Sequence, residues 1–144
     1  MTEKFQLPVE KLRALVRSYI KDEQFKGIKN IYGIPKGGIP FAVALANFSH
    51  LPLLLKASDI TDDTLVVDDI LDSGDTLLKF NNLRKAKDIH PVYGVIVTKI
   101  NEFNLEARKL LTFQGYEVEG IDWVVFPWED DKNVSKKLDG TEIE

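Results

Sequence analysis

Two adjacent acids, Asp68-Asp69, follow the apolar run Leu65-Val66-Val67, and two residues later comes Asp72-Ser73-Gly74-Asp75-Thr76. Carboxylates at the end of a buried run are costly to desolvate unless a cation or hydrogen-bond donors meet them. A plain turn accounts for a single Asp, with a neighbour pointing to solvent, and less readily for a doublet after three core-type residues. The stretch behind the doublet has a separate use. A glycine-containing turn that opens a helix aims several unpaired N–H groups at one point, which suits a phosphate. Ser73 and Thr76 add hydroxyls. Taken alone, a helix capped by Asp72 or Ser73 is the simpler reading. Cradle and acid pair together indicate a sugar phosphate whose hydroxyls or bound Mg²⁺ meet the carboxylates.

Three other segments carry possible chemistry. Ile34-Pro35-Lys36-Gly37-Gly38 places a lysine and a double glycine after a β-rich run, as a plain strand-to-helix turn would. Val97-Thr98-Lys99 ends another such run with a lysine, a residue more often solvated than functional at that place. Trp123-Val124-Val125-Phe126-Pro127-Trp128-Glu129 is aromatic near a strand end, and Phe126 reads as core.

The elements that must position these residues alternate. Pro8 to Phe25 has Val9, Leu12, Leu15, Val16, Tyr19 and Ile20 at helical spacing, with Pro8 suited to a first turn and Gly27 to a stop. Lys29 to Ile34 reads as a strand and Ile39 to Phe48 as an Ala-rich helix. Leu51 to Leu55 and Thr64 to Val67 are unbroken apolar runs, as expected of strands covered on both faces. Asp75 to Ala86 predicts a helix, Val92 to Thr98 a strand, Asn104 to Phe113 a helix and Trp123 to Phe126 a last strand. This order predicts an α/β fold: an open, mostly parallel twisted sheet with helices on both faces, and a small C-terminal hood segment. Ligands then bind outside the carboxyl ends of the strands, where all the segments above fall.

Composition bounds the rest. The 144 residues, 44% hydrophobic and 29% charged, fit one domain over 1–130 with a charged tail over 131–144. With no cysteine, disulfides and thiolate metal sites are excluded, and a reducing, cytoplasmic setting is expected. No signal-peptide pattern or membrane-length apolar run is present. A net charge of -4 gives no basic footprint for nucleic acid.

Thr64 to Thr76 resembles the phosphoribosyl-pyrophosphate motif of type I phosphoribosyltransferases: apolar strand, two acids, two apolar residues, then Asp-Ser/Thr-Gly-x-Thr. The resemblance spans roughly Lys29 to Glu129 and leans to the xanthine-guanine and hypoxanthine purine enzymes, the Pro127-Trp128-acid ending being similar to the xanthine-guanine branch specifically. It implies transfer of a 5-phosphoribosyl group from phosphoribosyl pyrophosphate to a 6-oxopurine, with Mg²⁺ as cofactor. By resemblance Asp68 and Asp69 hold the ribose hydroxyls directly or through the metal. Ser73, Gly74, Asp75 and Thr76 wrap the 5-phosphate, the Asp75 carboxylate facing away. Asp72 is the catalytic acid/base at purine N7. Lys36, Gly37 and Gly38 form the pyrophosphate loop, with a cis peptide expected at Lys36-Gly37. Lys99 reads the purine carbonyl, Trp123 stacks on the ring with the Val124 backbone at its edge, and Glu129 lies near the pyrophosphate metal or the exocyclic group. The family habit also implies a homodimer or higher homo-oligomer.

One interval departs from the pattern. Lys56 to Asp63 leaves eight residues where related enzymes place a long closing loop, enough for a connection and too few for a lid. A neighbouring subunit covers the site, or catalysis proceeds open and slowly, or the chain binds nucleotide without turnover. The last is a non-catalytic, regulatory alternative on the same fold. A dehalogenase-type phosphatase fits less well, because its second Asp precedes the glycine. A receiver domain carries its acid doublet after the first strand.

Overall fold

Strand β4 (Thr64–Leu71) is the axis of the molecule, and its residues Leu65, Val66 and Val67 are fully buried. The computed structural model describes residues 4–120 and 123–129, so the tail 131–144 lies outside the described residues. On one side β4 pairs with β2 (Asn30–Gly33), which pairs with the edge strand β3 (Leu53–Leu54). On the other it pairs with β5 (Val92–Lys99), whose far edge takes β6 (Leu111–Phe113) and then β7 (Tyr116–Val118). Every pairing is parallel. The order β3-β2-β4-β5-β6 reverses direction between β2 and β4, since β2 leads outward one way and β4 the other. The crevice at their carboxyl ends is the topological switch point.

Alternation along the strands feeds two cores. Ile31, Leu65, Val67 and Ile96 pack against α1 (Val9–Lys21) and α2 (Ile39–Ser49). Tyr32, Val66, Tyr93 and Val95 pack against α3 (Asp75–Lys85) and the single-turn α4 (Leu105–Arg108). The predicted layers, helices on both faces of a parallel sheet, are therefore present. Tyr19 of α1 crosses Gly94, where a Cβ would lie 2.7 Å from its hydroxyl. Its ring stacks on Phe113 at 4.4 Å and its hydroxyl donates to the Val95 carbonyl at 2.5 Å.

At the end of β4 remote from its carboxyl terminus, Thr64 is fully buried beside its register partner Asn30. Its Oγ1 donates to Asn30 Oδ1 at 2.6 Å and accepts from the Thr61 amide at 2.9 Å.

Two predicted elements differ. Asn104 to Phe113 is not one helix: a single turn, Leu105–Arg108, gives way to β6, because Leu111 and Phe113 pair with Tyr93 and Gly94 of β5. The hood is also not C-terminal alone. Its strand β8 (Trp123–Val125) pairs in parallel with β1 (Lys4–Gln6), a three-residue strand from the other end of the chain.

Residues 55–63 return the chain from the carboxyl end of β3 to the start of β4. Ile60 is 2% exposed and packs in the α3-side core, and Ala57–Asp59 form a 3₁₀ turn. The connection is consumed in this crossing, so it has no length left for a flap over the strand ends.

Candidate active site

The strand β4 runs on through the doublet to Leu71, so Asp68 and Asp69 belong to the ladder, one residue pair deeper than a post-strand turn would place them. Asp68 Oδ1 accepts from the Asp69 amide at 2.8 Å and Asp69 Oδ1 from the Ile70 amide at 2.7 Å. Both carboxylates are half-buried. Burial, and then the charge of Asp69 beside it, raise the Asp68 pKa to about 8. Without a cation, the pair keeps a proton at neutral pH.

The loop after β2 packs directly on this doublet. Its cis peptide is Pro35-Lys36, one bond earlier than Lys36-Gly37. The two glycines serve a different need, close approach to β4. A Cβ on Gly37 would sit 2.4 Å from Asp69 Oδ2, and one on Gly38 2.3 Å from the Val67 carbonyl oxygen. The two sites should therefore respond differently. Gly37→Ala meets a carboxylate that can swing away, so melting temperature should stay nearly constant while ligand binding at the doublet weakens. Gly38→Ala meets main chain and loses about 1–3 kcal/mol of stability. Thermal melts with ligand titration check both, and equal melting losses would contradict the assignment.

The cradle starts on Gly74, the N-cap of α3, at φ 88. Neither Asp72 nor Ser73 caps the helix itself. Ser73 Oγ accepts from the Asp75 amide at 3.3 Å, and the first helical bond runs from Leu78 N to Gly74 O at 2.9 Å. A cavity of about 210 Å³ lies here, lined by Asp68, Asp69, Asp72, Ser73, Gly74 and Thr76 among others. Asp75 is not among its lining residues.

Asp72 and Lys99 meet across the ends of β4 and β5, with Lys99 Nζ 3.3 Å from Asp72 Oδ2. The lysine side chain is only 16% exposed and the acid 61%. An acid that open gains little stability from the pair, and Lys99 itself is not among the residues lining the cavity. Trp123 and Val124 lie in the hood, opposite Lys4 and Phe5, and neither lines the cavity. Glu129 does not join the doublet: its Oε1 accepts from the Phe126 amide at 2.9 Å, closing its own turn. Among the described residues no group of three or more acids and histidines is arranged to hold a metal.

A divalent cation nevertheless fits the doublet. Asp68, Asp69 and Asp72 line a cavity whose cradle suits phosphate, and a cation between them would offset the repulsion between acids and an anionic ligand. Mg²⁺ needs few protein ligands, since it keeps water and takes substrate oxygens.

Sequence reasoning missed a third group. Asn101, Asn104 and Arg108 form a hydrogen-bonded cluster behind Asp72 and Lys99. Its only sequence signal was two asparagines just after a strand.

The parallel sheet and its switch point match the fold of solved phosphoribosyltransferase structures. A purine phosphoribosyltransferase from Pyrococcus horikoshii Ot3 superposes with a TM-score of 0.69 at 20% identity, over 90% of this chain and 96% of that one. A hypothetical protein from Neisseria gonorrhoeae with bound ppGpp gives 0.69 at 16% identity, over 98% and 97%. The xanthine-guanine-hypoxanthine phosphoribosyltransferase of Helicobacter pylori gives 0.61 at 16% identity, over 94% and 99%. No protein-family model and no curated protein matches the sequence. Among the described residues no helix is long and apolar enough to cross a membrane.

Proposed function

We propose that the protein transfers the 5-phosphoribosyl group of phosphoribosyl pyrophosphate to a ring nitrogen of a 6-oxopurine, releasing pyrophosphate. The observation that carries this reading is the Asp72–Lys99 pair at 3.3 Å beside the phosphate cradle. Lys99 offers only donors, so it favours a purine carbonyl over an amino group. Asp72 takes or returns the proton at N7. Ser73 to Thr76 bind the 5-phosphate, Asp68 and Asp69 hold the ribose hydroxyls and the metal, and the loop at Lys36 to Gly38 receives the pyrophosphate. Trp123 in the hood covers the base. The transition state resembles an oxocarbenium ion, which the carboxylates stabilise. When bound, Mg²⁺ neutralises charge on the departing pyrophosphate.

Pyrophosphate release measured with guanine, xanthine, hypoxanthine and adenine, each with phosphoribosyl pyrophosphate and Mg²⁺, tests this. Turnover is expected with one or more of the 6-oxopurines and not with adenine. Turnover with adenine alone, or with no base, would overturn it.

A second reading, nucleotide binding without turnover, is favoured by the connection 55–63, which is too short to form a lid over the strand ends. The similar Neisseria structure contains ppGpp, a ligand whose phosphates a cradle of this kind would suit. Binding of nucleotide with no pyrophosphate release from any base would select it.

A further inference from the structure

Behind the Asp72–Lys99 pair lies a buried amide that neither the doublet nor the cradle uses. Asn104 is 1% exposed. Its Nδ2 donates to the Asp72 main-chain carbonyl at 2.6 Å and to the Lys99 main-chain carbonyl at 2.6 Å, which occupies both amide hydrogens. Its Oδ1 accepts from Arg108 Nε at 2.8 Å. Arg108 also donates to the Asn101 carbonyl at 3.1 Å, and Asn101 Nδ2 donates to the Asp72 carbonyl at 3.2 Å. Asn101 Oδ1 fixes the turn itself, accepting from the Phe103 and Asn104 amides at 2.9 and 3.0 Å. Ala107 of α4, fully buried, packs against Gly74, where a Cβ would come within 2.4 Å of its own.

The position of this bracket is informative. The register of β4 and β5 ends with Leu71 opposite Thr98. Asp72 and Lys99 are the next residue on each strand, beyond the last ladder pair. Asn104 substitutes for the missing ladder by holding both carbonyls from one side chain. Only a group with two donors does this: Asp has none, and a shorter side chain removes this link between the two carbonyls, leaving the Asp72 carbonyl to Asn101.

We propose that Asn104, buttressed by Arg108 and Asn101, is a positioning residue that sets the spacing of Asp72 and Lys99 and thereby the seating of the base. The proposal rests on the phosphoribosyltransferase reading above. It separates two halves of the ligand. Base recognition depends on the bracket, whereas the 5-phosphate and ribose are held by Ser73 to Thr76 and the doublet.

Calorimetric titration with ribose 5-phosphate and with guanosine 5-phosphate, in Mg²⁺, reads this separation. Asn104→Ala should weaken guanosine 5-phosphate by about tenfold to a hundredfold and leave ribose 5-phosphate within about twofold. In turnover, kcat should fall by a similar factor with KM for phosphoribosyl pyrophosphate unchanged. Arg108→Gln, further from the strand ends, should show the same split more weakly and serves if Asn104→Ala does not fold. Equal weakening of both ligands, or no weakening of either, in whichever variant folds, overturns the proposal. Wild-type protein that binds neither ligand overturns the functional reading instead, and this proposal with it.

Discussion

On the proposed function, Asp72→Asn should lower turnover by about 10²–10⁴-fold while binding of Mg²⁺–phosphoribosyl pyrophosphate stays within a few-fold. The amide keeps the size of the carboxyl but cannot take or return a proton at N7. Nothing in the phosphate cradle changes, because the Asp72 main-chain carbonyl, not its carboxylate, is what Asn104 and Asn101 hold. Stability should hardly move, since the acid is 61% exposed and its pair with Lys99 is an open one. Single-turnover kinetics and thermal melts together decide the matter. Near-wild-type turnover in this variant would remove Asp72 from the mechanism.

The second large effect belongs to Asp68. Its carboxyl titrates at about 8 in the folded protein against 3.8 ordinarily, chiefly through burial and then through the charge of Asp69. Between those values the folded protein holds a proton that the unfolded chain has released. This contribution to stability is complete below the lower value, declines by up to about 1.4 kcal/mol per pH unit as pH rises, and is gone above the higher one. Asn resembles the protonated acid, so Asp68→Asn should melt higher than wild type at pH 8–9, by several degrees, and flatten the decline between pH 5 and 8. On the proposed function, the same change should weaken Mg²⁺–phosphoribosyl pyrophosphate at least tenfold, because the carboxylate assigned to the metal and ribose is lost. In wild type, ligand binding near pH 7 should release a fraction of a proton, seen as a dependence of binding heat on buffer ionisation enthalpy. A melting temperature for Asp68→Asn that tracks wild type at every pH would show that no proton is held there.

The sequence exposed what local chemistry dictates. Leu65-Val66-Val67 announced a buried strand, and Gly74 before Asp75-Thr76 announced a helix start with free amides. Each depends on neighbours within a few residues. What stayed hidden depends on distant partners. β1 is three residues long and exists because Trp123–Val125 lies alongside it. Leu111 and Phe113 continue an apolar spacing that suits a helix, yet the open edge of β5 captures them as strand. Gly37 and Gly38 were legible as a loop, but their purpose, contact with Asp69 and Val67, required the two strands to be adjacent. Asn104 is the plainest case. Nothing near it in sequence says that it spans two strand ends, and a lone buried asparagine is visible only once Asp72 and Lys99 are side by side.

The Thr64–Asn30 hydrogen bond, 2.6 Å long and set at the opposite end of β4 from the chemistry, governs more than its own corner. Side chains alternate along a strand, so a slip of one residue between β2 and β4 would exchange the faces of Asp68 and Asp69 and drive Leu65 and Val67 into the wrong core. The hydroxyl is a detent: it allows one engagement of the two strands and makes its neighbours costly. Ligand-binding geometry at the carboxyl ends is therefore indexed from the amino ends, like a ruler read at one edge and zeroed at the other.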